Sequence, residues 1–189
     1  MNAIDLARLA IEKLKGATKF ETMLGTASLL TTLLDETGLK VVIVGGFAVE
    51  IYTRSEYTTV DIDLIFSRRD LANEVLLNLG FTKEGRHWYH EVLGVSIEIP
   101  NDMLENADMN RVLKLNLPSQ EHVYVIGIED IILDRLRACI HWKSTSDCEW
   151  GYRLFLIHRK NLDIDYMVQK AQVDLTSEQL KAWLETNPE

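Results

Sequence analysis

No apolar run in this 189-residue chain approaches the roughly 20 residues that would span a membrane, so a membrane protein is excluded as an expectation. Proline is scarce, with three residues, and there is no low-complexity tract or internal repeat, which excludes proline-rich linkers and solenoids. Only two cysteines occur, Cys139 and Cys148. The N-terminal segment is amphipathic but holds Asp5 and Glu12 and lacks a cleavable apolar core. Two cysteines without such a leader do not make a disulfide framework, and the cytoplasm is the expected location. Positive charge is also short. Lys and Arg number 20 against 29 Asp and Glu, a net charge of −9, which argues against duplex DNA as a ligand. The basic residues that do occur gather between Arg135 and Lys160, where a local basic face could meet phosphates.

What is present is ordinary globular composition, 47% hydrophobic and 26% charged. Ile4, Ala7, Ile11 and Leu14 repeat at helical spacing, and residues 19–37 carry a second apolar stripe from Phe20 to Leu34 that Gly38 closes. Lys40-Val-Val-Ile-Val reads as a buried strand running into Gly45-Gly46, followed by a short helix over 47–52. Further strands are expected over 60–66, 81–84, 88–90 and 95–99, with weaker candidates at 111–115 and 123–126 and a helix over 69–79. After Gly127 the pattern turns helical: 128–142, 147–159, 165–172 and 177–185, with Thr176 and Gln179 as a capping box for the last. The expected fold is α/β (α+β): a mixed sheet flanked by helices, with a core over 1–127 and a helical extension over 128–189 in one structural unit.

Three features carry chemistry. A strand ending in Gly45-Gly46 and opening a helix lets backbone N–H groups approach a phosphate closely, although the same turn can be purely conformational. No Gly-Lys-Ser/Thr follows, so it is not a Walker loop, and Gly-Gly-Phe-Ala-Val-Glu is not the GxGxxG fingerprint either. In Val60-Asp-Ile-Asp-Leu-Ile-Phe, strand alternation puts Asp61 and Asp63 on one side and Ile62, Leu64 and Phe66 on the other. Two like charges side by side on an apolar strand raise one another's pKa, and a divalent cation relieves that cost; the bland alternative is a wet face on an edge strand. Glu98, in Val95-Ser-Ile-Glu-Ile, is a third carboxylate on a candidate neighbouring strand, or merely another wet-face residue.

In this order, strand, Gly45-Gly46, helix, Thr59-Val-Asp-Ile-Asp and a Glu98-bearing strand resemble the nucleotidyltransferase superfamily of polymerase-β type, over roughly residues 40–160. The chain looks most similar to the small bacterial branch of AbiEii-like toxin proteins. The resemblance implies that Asp61, Asp63 and Glu98 bind Mg²⁺ (or Mn²⁺) and serve catalysis. It implies that Gly45, Gly46 and Thr59 line the phosphates of a nucleoside triphosphate, with Arg135 and Lys143 as further phosphate-binding residues. It also implies transfer of a nucleoside monophosphate to a hydroxyl of a small molecule, a protein or tRNA. The alternative is a non-catalytic nucleotide-binding module, with an antitoxin-type partner or a homodimer. Many superfamily members carry Ser where Gly46 stands, and the interval from Gly46 to Asp61 is long for compact members.

The remaining candidates are weighed on residue chemistry. Arg135, among apolar residues of a helix, needs a partner: a phosphate, or Asp134, Asp147 or the acidic cluster. Asp163-Ile-Asp165 lacks a glycine turn and precedes a helical pattern, so Asp165 is expected to be an N-cap and Asp163 a loop residue. His87, Trp88, Tyr89 and His90 have no zinc spacing and are expected to pack across strands. Trp142, beside His141 and Lys143, is either a base-stacking or a packing residue.

Overall fold

The computed structural model describes residues 3–35, 37–100, 104, 106–119 and 121–186. Two helices, α1 (Ala3–Lys13) and α2 (Lys19–Asp35), precede strand β1 (Val42–Val44) and helix α3 (Gly45–Tyr52). Then come β2 (Asp61–Ile65), α4 (Arg69–Asn78), β3 (Thr82–Glu84), β4 (His87–His90) and β5 (Val95–Glu98). A 3₁₀ turn leads into β6 (Leu113–Asn116) and β7 (His122–Val125). The last third is helical: α5 (Ile128–His141), α6 (Thr145–His158), α7 (Ile164–Val173) and α8 (Ser177–Glu185).

The seven strands form one mixed sheet in the order β3-β4-β5-β2-β1-β7-β6. β1 runs antiparallel to β2 and parallel to β7, while β2 and β5 are parallel. The strands bearing the Asp pair and the glycine turn are therefore central, which removes the edge-strand reading of Asp61 and Asp63. Burial follows the alternation: Ile62, Leu64 and Phe66 are buried, as are Ile97, Val123 and Val125 on neighbouring strands. α2 packs on β7 and β2 through Met23, Ala27, Leu30 and Leu34. Its buried Thr26 and Thr31 satisfy their hydroxyls by donating to the carbonyls of Thr22 and Ala27, at 2.8 and 2.9 Å. No helix of the described residues is long and apolar enough to cross a membrane.

The helical part is joined to the sheet by polar contacts at the start of α5. Buried Asp130 accepts from the Asp108 N–H at 3.0 Å and from the Tyr166 hydroxyl, and Glu129 accepts from the Asp163 N–H at 3.0 Å. Tyr52, at the end of α3, donates to the Ile126 carbonyl at 2.8 Å.

Several local expectations are corrected. α3 begins at Gly45, not at Phe47, because both glycines take part in its first turn. Asp163, not Asp165, caps α7, accepting from the Tyr166 N–H at 3.1 Å, and it also pairs with Arg111. Thr176 makes no side-chain cap to α8; its hydroxyl is buried without a partner among the described residues. Cys139 and Cys148 are disulfide-bonded. The turn between α5 and α6 folds these helices against each other and brings the two Cα atoms to 4.6 Å, a proximity that a nine-residue spacing does not announce. The expected basic face is largely neutralised within the chain. Arg135 pairs with Asp147 and Asp134, Arg137 with Asp174 and Asp134, and Arg153 with Glu149. Arg159 donates to the carbonyls of Leu184 and Thr186.

Candidate functional site

The register of three strands assembles the site. Val44, the last residue of β1, lies opposite Asp63, and Asp63 lies opposite Glu98 on β5. Asp61, Asp63 and Glu98 thus project from the same face, and one oxygen from each lies within 4.8 Å of the others. All three are half-buried. The donor set is all carboxylate oxygen, with no sulfur or imidazole among the three, which suits a hard divalent cation.

Electrostatics point the same way. The Asp63 carboxyl is pushed up to about 6, first by burial and then by the charge of Asp61; the Gly46 N–H bond opposes the shift. A cation between these groups would remove both penalties.

Gly45 adopts a left-handed conformation, φ +57°, and a Cβ there would overlap Asp63 Oδ2 and stand 2.9 Å from Asp63 Cβ. The turn is therefore glycine both for its backbone and because the carboxylate lies against it. The Gly46 N–H donates to Asp63 Oδ2 at 3.3 Å. A Cβ on Gly46 would stand 2.9 Å from Thr59 Oγ1 and 3.4 Å from the Tyr57 hydroxyl. The space that a serine would occupy at position 46 is thus filled by hydroxyls from the α3–β2 loop. Thr59 donates to Asp61 Oδ1 at 3.0 Å, and its N–H donates to Glu50 at 3.0 Å. The Thr53 hydroxyl accepts from the Tyr57 N–H at 3.1 Å. The long interval between Gly46 and Asp61 is what allows this loop to fold back over the turn.

Gly45, Gly46, Thr59, Asp61, Asp63 and Glu98 are therefore brought together. Arg135 is close enough for its charge to favour the Asp63 carboxylate, but it is held in ion pairs at 2.7 Å to Asp147 and 3.2 Å to Asp134. Lys143 is exposed in the turn between α5 and α6, with φ +53°. Trp142 beside it is 79% exposed, which removes the core-packing reading.

A cleft of about 520 Å³ opens in front of Gly45 and Asp63. Val44, Ile65 and Ile126 line it together with Leu104, and α5 contributes Asp134, Arg137 and His141, followed by Trp142 just past its end. Its volume lies in the usual range for a small-molecule site.

Three residues at the site, Glu50, Tyr57 and Arg86, escaped the sequence reading, and a fourth, His87, was expected only to pack across strands. Buried Glu50 orients Thr59, and Tyr57, whose phenol is pushed up by burial, faces Gly46 and packs edge-on against Trp150. Arg86 places Nε 2.8 Å from Glu98 Oε1, and His87 places Nδ1 3.9 Å from Glu98 Oε2. His87 could have been found from alternation in β4, which puts it opposite the face of buried Trp88.

The whole arrangement can be set against known structures. The chain is similar to a nucleotidyltransferase-like antigenic protein from Paracoccidioides brasiliensis, with a TM-score of 0.60 and 15% identity, covering 89% of this chain and 93% of that one. The fold is that of the nucleotidyltransferases. The chain is also similar to ANT(2")-Ia, a structure in complex with adenylyl-2"-tobramycin, with a TM-score of 0.52 and 20% identity, covering 77% of this chain and 92% of that one. No protein-family profile matches the sequence, and neither does any curated protein.

Proposed function

We propose that this nucleotidyltransferase-fold protein is a magnesium- or manganese-dependent enzyme that moves a nucleoside monophosphate from a nucleoside triphosphate to a hydroxyl acceptor. The observation that carries the reading is the convergence of Asp61, Asp63 and Glu98 within 4.8 Å beside the Gly45-Gly46 turn. The three carboxylates would hold the cation, which when bound supplies Lewis-acid charge to the hydroxyl and the polyphosphate. Backbone N–H groups at the start of α3 bind phosphate oxygens, the Thr59 hydroxyl turns from Asp61 to a phosphate oxygen once Asp61 serves the cation, and exposed Lys143, next to Trp142 of the cleft lining, is a further cation for the polyphosphate. Arg135 joins them only by leaving its ion pairs with Asp147 and Asp134. The acceptor oxygen bonds to the α-phosphorus as the α–β bridging bond breaks and pyrophosphate leaves. Glu98 is the nearby group to accept the hydroxyl proton. The acceptor is a small molecule, a protein or tRNA, and the net charge of −9 favours a small molecule or a protein. Kinship with the AbiEii-like toxins, a cytoplasmic location and an antitoxin-type partner or a second copy belong to the same proposal.

Isothermal titration of each of the four common triphosphates, with and without magnesium, tests it. Magnesium-dependent binding is expected in the natural protein and is expected to fall at least about a hundredfold in Asp61→Asn/Asp63→Asn, since the ligand charge is gone. Absence of binding by all four would end the transferase reading. Binding that needs no cation and yields no transfer would favour the non-catalytic module instead.

A second expectation concerns the displaced hydroxyl. Thr59→Val keeps the shape of the side chain and removes its donor, so triphosphate affinity should drop about tenfold, the worth of one charge-assisted hydrogen bond. Gly46→Ser alone should be worse, because its Cβ meets Thr59 at 2.9 Å. The double variant Gly46→Ser/Thr59→Ala opens that space and should recover affinity relative to Gly46→Ser. Unchanged affinity in Thr59→Val would remove Thr59 from the phosphate site.

A further inference from the structure

Read across the sheet, the strands β1, β2, β5 and β4 set out an order of chemistry. On the transferase reading, the triphosphate belongs with the glycine turn at the end of β1, and the cation with Asp61 and Asp63 on β2 and Glu98 on β5. Beyond Glu98, on the side away from the triphosphate, stands the start of β4. His87 is Glu98's direct partner in the β4–β5 ladder. Arg86 precedes it in the two-residue turn of the β3–β4 hairpin, fixed by the pairing of Glu84 with His87. The Arg86 side chain is 69% exposed and that of Glu98 is 14% exposed, so the guanidinium lies outside the carboxylate that it pairs with.

We propose that Arg86 and His87 form an acceptor subsite for an anionic group: the hydroxyl compound that receives the nucleotidyl group carries a phosphate or carboxylate near the reacting hydroxyl. This rests on the transferase reading. Glu98 cannot give its full charge to a divalent cation and to Arg86 together. Once its oxygens serve a cation, the guanidinium, which is always charged, loses its partner while still held at the acceptor side by the hairpin. An acceptor phosphate or carboxylate supplies the replacement and matches the planar donor fork. A cationic acceptor would meet Arg86 and the bound cation with like charge, and a neutral one would leave the fork unmatched. His87, on the cleft face beside Glu98, adds a ring nitrogen to the same spot. In a chain of net charge −9, an exposed arginine beside this carboxylate cluster is a local reversal of sign with a direct use.

The test uses the full chain loaded with magnesium and the α,β-methylene analogue of whichever triphosphate binds. Four probes of similar size are then titrated: glycerol phosphate, glycerate, glycerol and the amine serinol. The two anions are expected to bind at least about tenfold more tightly than glycerol or serinol, and the tighter of the two identifies the anionic group. Arg86→Ala should abolish that preference with an unchanged melting temperature, and Arg86→Lys should retain part of it. Equal affinity for all four probes, a preference for serinol, or an anion preference that survives Arg86→Ala overturns the subsite while leaving the transferase reading intact. Failure of the natural protein to take up any triphosphate ends that reading and this inference with it.

Discussion

Asp63→Asn is expected to make the metal-free protein more stable at neutral pH while abolishing its cation-dependent activity. In the fold the Asp63 carboxyl is held at about 6, mainly by burial and then by Asp61. Its folded-state pKa therefore lies above its unfolded value of 3.8. The protonated form favours the fold, so this contribution is fully present below the unfolded pKa and is lost as pH rises through about 6. At neutral pH the ionised side chain costs the apo protein on the order of 2–3 kcal/mol relative to a neutral isostere. Asparagine has nearly the same shape and can still accept from the Gly46 N–H, so it removes the charge and keeps the contact. Urea denaturation in a chelator should show the variant more stable than the natural protein near about pH 7.5, with the gap narrowing as pH falls through about 6 and closing below the unfolded value of 3.8. Adding magnesium should stabilise the natural protein and leave the variant unmoved. The same substitution should lower transfer by at least about a thousandfold, about 4 kcal/mol of barrier. A variant less stable than the natural protein at neutral pH would show that Asp63 is not the repelled group described above.

Gly45→Ala is expected to have the second-largest effect, on both folding and the site. Two penalties combine at this position. The left-handed backbone, φ +57°, costs any residue with a Cβ about 1–2 kcal/mol. The added methyl also overlaps Asp63, which is anchored in a central strand and cannot move without disturbing the carboxylate cluster. Gly94 provides the control: its φ is +61°, and a Cβ there meets nothing within 4 Å. Gly94→Ala should lose only the backbone part, whereas Gly45→Ala should lose about 2–4 kcal/mol and its magnesium-dependent triphosphate binding. Denaturation curves of both variants, with calorimetric titration of whatever remains folded, decide the matter. Equal losses at the two glycines would mean that Asp63 yields easily and the turn is conformational only.

The determinants that were legible in the chain are those that depend on neighbours a few residues apart. Alternation in Asp61-Ile62-Asp63-Leu64 sorted carboxylates from core residues, because a strand has a period of two whatever lies beside it. Four β-branched or apolar residues running into Gly45-Gly46 marked a strand and a tight turn, since only that backbone chemistry allows it. The helical last third followed from its apolar spacing. The nucleotidyltransferase fold was within reach through the order of these features.

What the tertiary structure decided is everything that depends on register between distant segments. β5 lies beside β2, so Glu98 faces Asp63; had β4 or β3 taken that place, the same Glu98 would be a wet-face residue. Thr59 fills the room above Gly46 because Glu50, on the preceding helix, fixes the loop. Arg135 is engaged by Asp147, across the turn that also joins Cys139 to Cys148. Arg86 reaches Glu98 because a hairpin and a ladder meet there. Local sequence sets which face a side chain takes, through the fixed geometry of strand and helix. Which faces then meet is settled only when the sheet closes and packs, since pairing energies are summed over the whole core and written at no single position.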